Sequence, residues 1–341
     1  MPSFRSGAVT EILSERRGLQ RVMVDGQRAY VLTQLTGDVA IGDEVVMNTT
    51  AVELGLGTGG WHVVHWNLSR RELDQPGPGH IMKMRYTSLQ ADTGADESIA
   101  DADDLEGMPV VVCGLHSQVP CAVVALLAER PTARIAYVMT DGASLPLAMS
   151  DLVASMDGLL AATITAGHAF GGDHETVNVQ SALVAARHVV GADVAIVAMG
   201  PGVVGTATKL GFTAMEVGPA LDATELLGGR PVAALRFSLA DQRLRHQGVS
   251  HHTTTALALG TRARATIGIP SGQFEARVRA DLDAAGLTDR HRMLGVADPG
   301  IGRLLREHGL HVTTMGRDDA QDPGFFAVAG AAGTAAATLI P

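Results

Sequence analysis

The sequence predicts an α/β protein: a mostly parallel, Rossmann-like sheet covered by helices, with a small N-terminal β-barrel-like module. Three observations point there. Beyond residue 108, short continuous apolar runs alternate with helix-period segments, the pattern of parallel strands buried on both faces. Before residue 88, β-rich runs follow one another closely, with no helical segment between them. The 40 glycines have no collagen period and fall mostly between apolar runs, as turns do in a folded α/β chain. We therefore divide the chain into a β module (1–88), an acidic connector (89–107) and an α/β domain (108–341).

In the first module, strand runs are read at Leu19 to Val24, Arg28 to Leu35, Glu44 to Thr49 and Trp61 to Trp66. Asp25-Gly26 between the first two is a hairpin signal. Regular short strands without helices suit a small barrel of SH3-like or OB-like type. Residues 91–107 carry seven acids (Asp92, Asp96, Glu97, Asp101, Asp103, Asp104, Glu106) and no base, so a solvated connector is expected.

The α/β series begins at Val110 to Cys113, a buried strand followed by helix character at Val119 to Glu129. Further strands are read at Ile135 to Met139, Leu159 to Ile164, Val194 to Met199, Val232 to Leu235, Met293 to Val296 and Val312 to Thr314. Thr176 to Val190 has helical periodicity. The alanine-rich stretch from Phe325 to Ile340 reads as a closing helix.

Composition excludes several classes. At 341 residues with 46% hydrophobic residues, the chain can bury a sizeable core for two domains. A formal charge of −10 and no basic face argue against nucleic-acid binding. No run of eighteen apolar residues and no signal-peptide core occur, so no membrane span and a cytoplasmic location are expected. Cys113 and Cys121 are too few for a disulfide framework. The 26 basic residues include only two lysines, Lys83 and Lys209, which draws attention to the places where a lysine persists.

The unusual polar residues fall after predicted strands. In parallel sheets that is where ligands bind. Gly114 to Gln118, with His116 and Ser117, follows the first strand of the domain. Thr140 to Ser144, with Asp141, follows the second. Gly167 to Glu175 holds His168, Asp173 and His174. Gly200 to Lys209 and the long stretch with Asp241, Arg243, Arg245, His246, Ser250, His251 and His252 complete the set. One shared edge is expected for all five. Capping by Ser117, ordinary turns, and a buried apolar role for Cys113 are the plain alternatives.

Gly200-x-Gly202-x-x-Gly205 matches the dinucleotide fingerprint literally, with Glu216 as the candidate ribose acid, although Gly211 leaves little room for a long helix. Its general chemistry is anion binding: Gly200, Gly202 and Gly205 for close backbone approach, Thr206 for a hydroxyl and Lys209 for a cation. His168, Asp173 and His174 are candidate ligands of a divalent metal, the one cofactor the residues suggest. Ser250 is a candidate N-cap for a helix starting at His251 and His252, whose imidazoles would be neutral there. Adjacent helical side chains diverge by roughly 100°. The two are therefore expected to face different ways, one toward His168 or Asp173. Arg243 and Arg245 suit a phosphate or carboxylate.

Gly167-His168-Ala169-Phe170-Gly171-Gly172-Asp173, Gly200-Pro201-Gly202 through Gly211-Phe212, and Arg245-His246 to Ser250-His251-His252-Thr253 resemble the bacterial domain-of-unknown-function 3866 family, found largely in Actinobacteria and Firmicutes. The resemblance extends to Asn48-Thr49-Thr50 and Asp322-Pro323-x-Phe325-Phe326. The family brings no activity with it, so no catalytic role is transferred.

The residues point first to an enzyme, a hydrolase or transferase acting on a phosphorylated or nucleotide-like small molecule. His168, His251, His252, Asp141 and His116 are its candidate catalytic groups. A nicotinamide-dependent oxidoreductase is the alternative that the glycine fingerprint raises. A non-catalytic ligand-binding sensor or scaffold is the third. The expected partners are a small anionic ligand and further copies of the chain in a homo-oligomer, with Trp61, His62, His65 and Trp66 as a candidate contact or cover.

Overall fold

In the computed structural model, which describes Met1–Pro341 apart from Thr58, Pro78, residues 95–98, Ala100, Ala207 and Pro299, a 13-residue strand β1 (Phe4–Arg16) comes first. It is longer than any run read in that region. Its pairing with β2 (Leu19–Val24) shifts register twice, which bends it around the barrel. The turn at Asp25-Gly26 has positive φ at both residues (45° and 78°), the twist a two-residue hairpin requires. It leads into β3 (Gln27–Val31), which stops early because a helical turn, α1 (Thr33–Thr36), begins where strand was expected. After β4 (Glu44–Asn48) and a second short turn, α2 (Thr50–Glu53), β5 (His62–Asn67) inserts between β3 and β4. The order β1-β2-β3-β5-β4 closes into a barrel around Val9, Val22, Val24, Val31, Val45 and Val64. A small pair, β6 (Ile81–Lys83) and β7 (Ala91–Thr93), follows.

The chain divides into two compact units, Met1–Ala95 and Asp96–Pro341. The acidic stretch is shared between them: Ala91–Thr93 is strand in the first, and Leu105 is fully buried in the core of the second. Its Asp96 and Glu97 lie outside the described residues.

The second unit is built on eight strands, all parallel. In chain order they are β8 (Pro109–Cys113), β9 (Ile135–Thr140), β10 (Ala162–Thr165), β11 (His174–Glu175), β12 (Val194–Met199), β13 (Arg230–Ala234), β16 (Thr266–Pro270) and β17 (Arg292–Val296). The pair β14 (Phe237–Ser238) and β15 (Gly248–Val249) forms a separate ribbon. Across the sheet the order is β11-β10-β9-β12-β8-β13-β16-β17. The chain leaves β8 toward β9 on one side, and leaves β13 toward β16 on the other. The sheet therefore has a reversal at β8, where a crevice opens at the carboxyl ends.

Alternate residues along the strands serve two cores. Val110 and Val112 of β8, with Ala136 and Val138 of β9, face α5 (Val179–His188), α6 (Val217–Leu226) and α8 (Glu275–Ala284). Val111, Cys113, Ile135, Tyr137 and Met139 face α3 (Gln118–Glu129), α4 (Asp151–Ser155), α9 (Ile301–Glu307) and α10 (Pro323–Ala337). One last short helix, α7 (His251–Thr255), lies at the sheet edge. Val312–Thr314, expected as a strand, is not one. Thr314 makes only an isolated bridge with Arg317, which closes a tight turn instead of joining the sheet. A strand that was not read, β16, is broken in sequence by Gly268, where the carbonyl of Ala331 on α10 leaves no space for a β-carbon. Among the described residues no helix is long and apolar enough to cross a membrane.

α10 is apolar on all sides because it is buried on all sides. At Gly333 a β-carbon would overlap the carbonyl oxygen of Ala122 on α3, so this glycine sets how closely the two helices approach. Intrinsic helix propensity favours alanine there by about 1 kcal/mol. Packing opposes it. We expect Gly333→Ala to lower unfolding stability by about 1–3 kcal/mol in urea denaturation, the usual cost of overpacking a core. A stabilised variant would mean that propensity outweighs the contact.

Candidate functional site

Two residues after β13 ends, Arg236 turns under the sheet edge and is 7% exposed. The chain then runs out along β14 and returns along β15, so that the Ser250 N–H donates to the Arg236 carbonyl at 2.8 Å. The ribbon thus brings residues fourteen apart in sequence side by side. The Ser250 hydroxyl caps α7 by accepting the His252 N–H (3.3 Å) and lies 2.7 Å from His246 Nδ1. This one hydroxyl fixes two of the three histidines.

The rings of His246, His251 and His252 form one group. Centroids are 5.0 Å apart for His246–His251, 4.9 Å for His246–His252 and 4.4 Å for His251–His252. One ligand nitrogen from each lies within 4.8 Å of the others. The expected divergence of His251 and His252 does not hold. The 100° rule describes where Cβ atoms leave a helix, and two long flat rings at its first turn can swing back to meet. His246 is buried, whereas the other two are half-buried. His246 Nε2 and His251 Nε2 are buried and have no hydrogen-bond partner.

Around them stand arginines. Asp241 accepts two hydrogen bonds from Arg243, Nε to Oδ1 at 3.0 Å and Nη2 to Oδ2 at 2.8 Å. Arg236 (3.5 Å) and Arg317 (3.8 Å) approach the same carboxylate. The Arg243 hydrogen bonds hold Asp241 far below the usual carboxylate range, against the cost of its burial. Asp322, at the start of α10, accepts from Ser238 Oγ (2.6 Å) and Arg317 Nε (3.1 Å). Burial first, and the neighbouring Arg236 charge second, together lower His246 and His252 to about 3. His251 is lowered by burial and then by Arg245. All three imidazoles are therefore neutral at pH 7 and retain basic nitrogens.

The segment after β12 covers this group. Phe212 stacks on His252 with centroids 4.0 Å apart and planes 7° from parallel, and meets His251 edge-on at 5.7 Å. Gly205 bridges to Phe212, the Thr206 N–H donates to the Gly211 carbonyl (2.6 Å), and the Val204 N–H donates to Thr213 Oγ1 (3.2 Å). The glycine fingerprint thus folds into a small hairpin, not a helix start, and the nearest α-helix begins at Val217. Glu216 precedes that helix and is not at a strand end. The helix expected after Gly205 is absent because backbone groups that would open it are bonded across the hairpin. Gly200 is needed for close approach to the Ser144 carbonyl, and Gly202 for its φ of 98°. Lys209 and Arg245 are exposed, and Ala207 lies outside the described residues.

Of the remaining predicted residues, His116, Asp141 and His168 stand at the same edge in other surroundings, whereas Asp173 and His174 lie back along the sheet beside Thr163 and Ile164 of β10. His116 is buried among Met199 O (3.1 Å), Tyr137 Oη (3.1 Å) and Ser150 Oγ (2.6 Å), and burial lowers it to about 4. Its ring ties the loop after β8 to β9, to the end of β12 and to the cap of α4. Asp141 accepts the His168 N–H at 2.8 Å and so shapes the turn after β10. Asp173 accepts from Thr163 N (2.9 Å) and Oγ1 (2.8 Å), and His174 pairs with Ile164 in the sheet. Among the described residues, His168, Asp173 and His174 do not form a group of ligand atoms like that of His246, His251 and His252.

The short helical turn Thr213–Glu216 is a wall between two hollows. Ala214 lines a void of about 10 Å³ with Gly114, Arg236 and His252, close to the volume of a single water. Glu216 lines a larger cleft of about 300 Å³ with Thr140, Asp141, Gly167, Asn178 and Gln180. Its carboxyl accepts a short hydrogen bond from Thr140 Oγ1. Burial raises Glu216 to about 7, and the Asp141 charge adds to the rise.

The family description "protein of unknown function DUF3866" matches residues 28–333. The chain belongs to this family. Comparison with curated proteins and with solved structures finds no match. Three of the segments recognised in the sequence meet around the histidines: Phe212 stacks on His252, Arg245 to Thr253 supplies all three rings, and Asp322 of the closing stretch holds Arg317. Arg236, Arg317 and Phe212 were not identified as site residues, and Asp241 was named in its loop without a role. Arg236 had a readable signal, a lone arginine at the end of an apolar run, whereas the roles of Arg317 and Phe212 depend on long-range contacts.

Glu216 gives the DUF3866 chain a pH-dependent element. Its folded pKa lies above the unfolded value, so stability falls as pH rises from about 4.5 to about 7 and is level above that. Glu216→Gln keeps an acceptor for Thr140 and removes the buried charge. We expect it to match the parent near pH 4 and to exceed it by about 2 kcal/mol near pH 8 in chemical denaturation. Equal stability near pH 8 would show that the carboxyl is ionised without cost.

Proposed function

We propose that this chain is an enzyme, a hydrolase or transferase, acting on a phosphorylated or nucleotide-like small molecule at the carboxyl edge of its parallel sheet. One observation carries the reading: three neutral imidazoles stand beside Arg236 and Arg243 at the end of β13, next to the reversal at β8. Arginine forks suit phosphate oxygens. A neutral imidazole accepts the proton of an attacking water or hydroxyl as its oxygen bonds to phosphorus. The ester P–O bond breaks, and the leaving oxygen takes up a proton. His251 and His252, half-buried, are the groups open to such a substrate.

The cleft on the other side of Thr213–Glu216 has the volume that small organic ligands occupy, and it offers Asp141, Asn178 and Gln180 as polar contacts. The nicotinamide reading loses its support with the missing helix after Gly205.

Calorimetric titration of the full chain with inorganic phosphate, together with phosphate release from nucleotides, tests the proposal. Arg243→Ala should weaken binding roughly tenfold or more, the ~1.5–3 kcal/mol of a charge-assisted bond. Lys209→Ala, on the exposed hairpin, should change it less than about twofold. A loss confined to Lys209→Ala would move the anion to the hairpin. No binding or turnover of any phosphate compound would remove the reading.

A further inference from the structure

Three histidines that approach one another usually do so through hydrogen bonds or with charge compensation. Here neither is present at two of the inward nitrogens. His246 Nδ1 lies against Ser250 Oγ at 2.7 Å, a hydroxyl that already accepts the His252 N–H. In the tautomer in which Nδ1–H donates to that hydroxyl, the lone pair of His246 sits on Nε2, which is buried and has no partner among the described residues. His246 is 1% exposed, so no bulk water reaches that nitrogen. His251 Nε2 is in the same condition. Buried acceptors left without partners are destabilising, and native structures rarely keep two together without a ligand between them.

We propose that His246, His251 and His252 bind one zinc-type divalent cation. The donor set is all imidazole nitrogen, with no carboxylate or thiolate in the group, which suits zinc or cobalt rather than magnesium or calcium. The nitrogens lie within 4.8 Å of one another; bonds of ~2.0–2.1 Å in tetrahedral geometry place them ~3.3 Å apart, so ring rotations of about 1 Å close the site. The Ser250 hydroxyl orients His246 in the way that outer partners orient metal-bound histidines. Three protein ligands leave a fourth position for water or a substrate oxygen. Asp241 and Asp322 offset two of the three charges of Arg236, Arg243 and Arg317, which reduces the repulsion that a cation beside these arginines would meet. The inference rests on the reading of this cluster as the working site and adds its chemistry. With the imidazole nitrogens held as ligands, such a cation would take over from them the activation of the attacking water, whose proton it would make labile near neutral pH.

The test uses the full chain, stripped with chelator and titrated with Co²⁺ under visible absorption, then with Zn²⁺ in competition. No phosphate compound is present. The expected result is one Co²⁺ per chain with the intense bands of a four- or five-coordinate nitrogen site, displaced by one equivalent of Zn²⁺. His251→Ala, a half-buried position whose replacement leaves the core intact, should weaken binding at least about 100-fold, and His246→Ala should do the same. Ser250→Ala should cost about 10- to 100-fold through loss of orientation. His308→Ala, at an exposed position, should bind like the parent. No stoichiometric cation, binding that survives His251→Ala, or loss on His174→Ala instead would each overturn the proposal. A chain that takes up no metal yet binds phosphate through Arg243 overturns the metal alone. One that takes up metal and no phosphate overturns only the reading of function.

Discussion

Burying the sheet of the second unit on both faces leaves no room for unpaired polar side chains along its central strands, where the Tyr137 hydroxyl is held by His116. β9 and β12 are buried at every residue, and their side chains alternate between two apolar cores. An unpaired polar group placed there would cost several kcal/mol by general transfer values. Polar chemistry is therefore expelled to the strand ends, and parallel pairing sends all carboxyl ends to one edge. The polar segments after β8, β9, β12 and β13, and the turn at Gly167 and His168 after β10, lie along that edge for this reason. The reversal at β8 then opens the crevice between β8 and β13, where Gly114 and Arg236 line the same small void.

Within that edge the arrangement of charge selects one place. Arg236 is nearly buried, which is tolerable only because Asp241 lies beside it and is itself shared with Arg243 and Arg317. Burial lowers Arg236 to about 10, so it stays charged at neutral pH. Burial, and after it the charge of the surrounding arginines, keeps the histidines neutral. The result is a cationic shell around uncharged nitrogen bases, a pairing that suits an anionic substrate and a nucleophile made in place. The second cleft has the opposite character, with Asp141 and Glu216 facing a larger hollow.

Much of this could be read from the residues. The parallel α/β architecture follows from apolar runs such as Val110 to Cys113 and Val194 to Met199, because short runs apolar at every position that alternate with helix-period segments suit strands covered on both faces. The Asp25-Gly26 hairpin is local chemistry and equally legible. What failed was decided at long range. Val312 to Thr314 has the composition of a strand but lacks a neighbour to pair with, whereas β16 has a neighbour despite Gly268. The Gly200 to Gly205 pattern resembles a phosphate loop, yet Gly200 answers to the Ser144 carbonyl and the rest to a hairpin. The histidine group was visible only in part. His251 and His252 could be named from their place after a predicted strand, but their convergence on His246 depends on the β14–β15 ribbon, which two-residue strands do not announce.

The central claim is that the cluster at the end of β13 is the working centre of the molecule. It is tested most directly by crystals of the full chain grown with Zn²⁺ and inorganic phosphate, with diffraction collected on both sides of the zinc absorption edge. The account predicts one anomalous peak ~2 Å from nitrogens of His246, His251 and His252, with phosphate oxygens in hydrogen-bond reach of Arg236 or Arg243. A peak between His168 and His174, or phosphate held by the backbone of Gly202 to Thr206 above an empty histidine cluster, would contradict it.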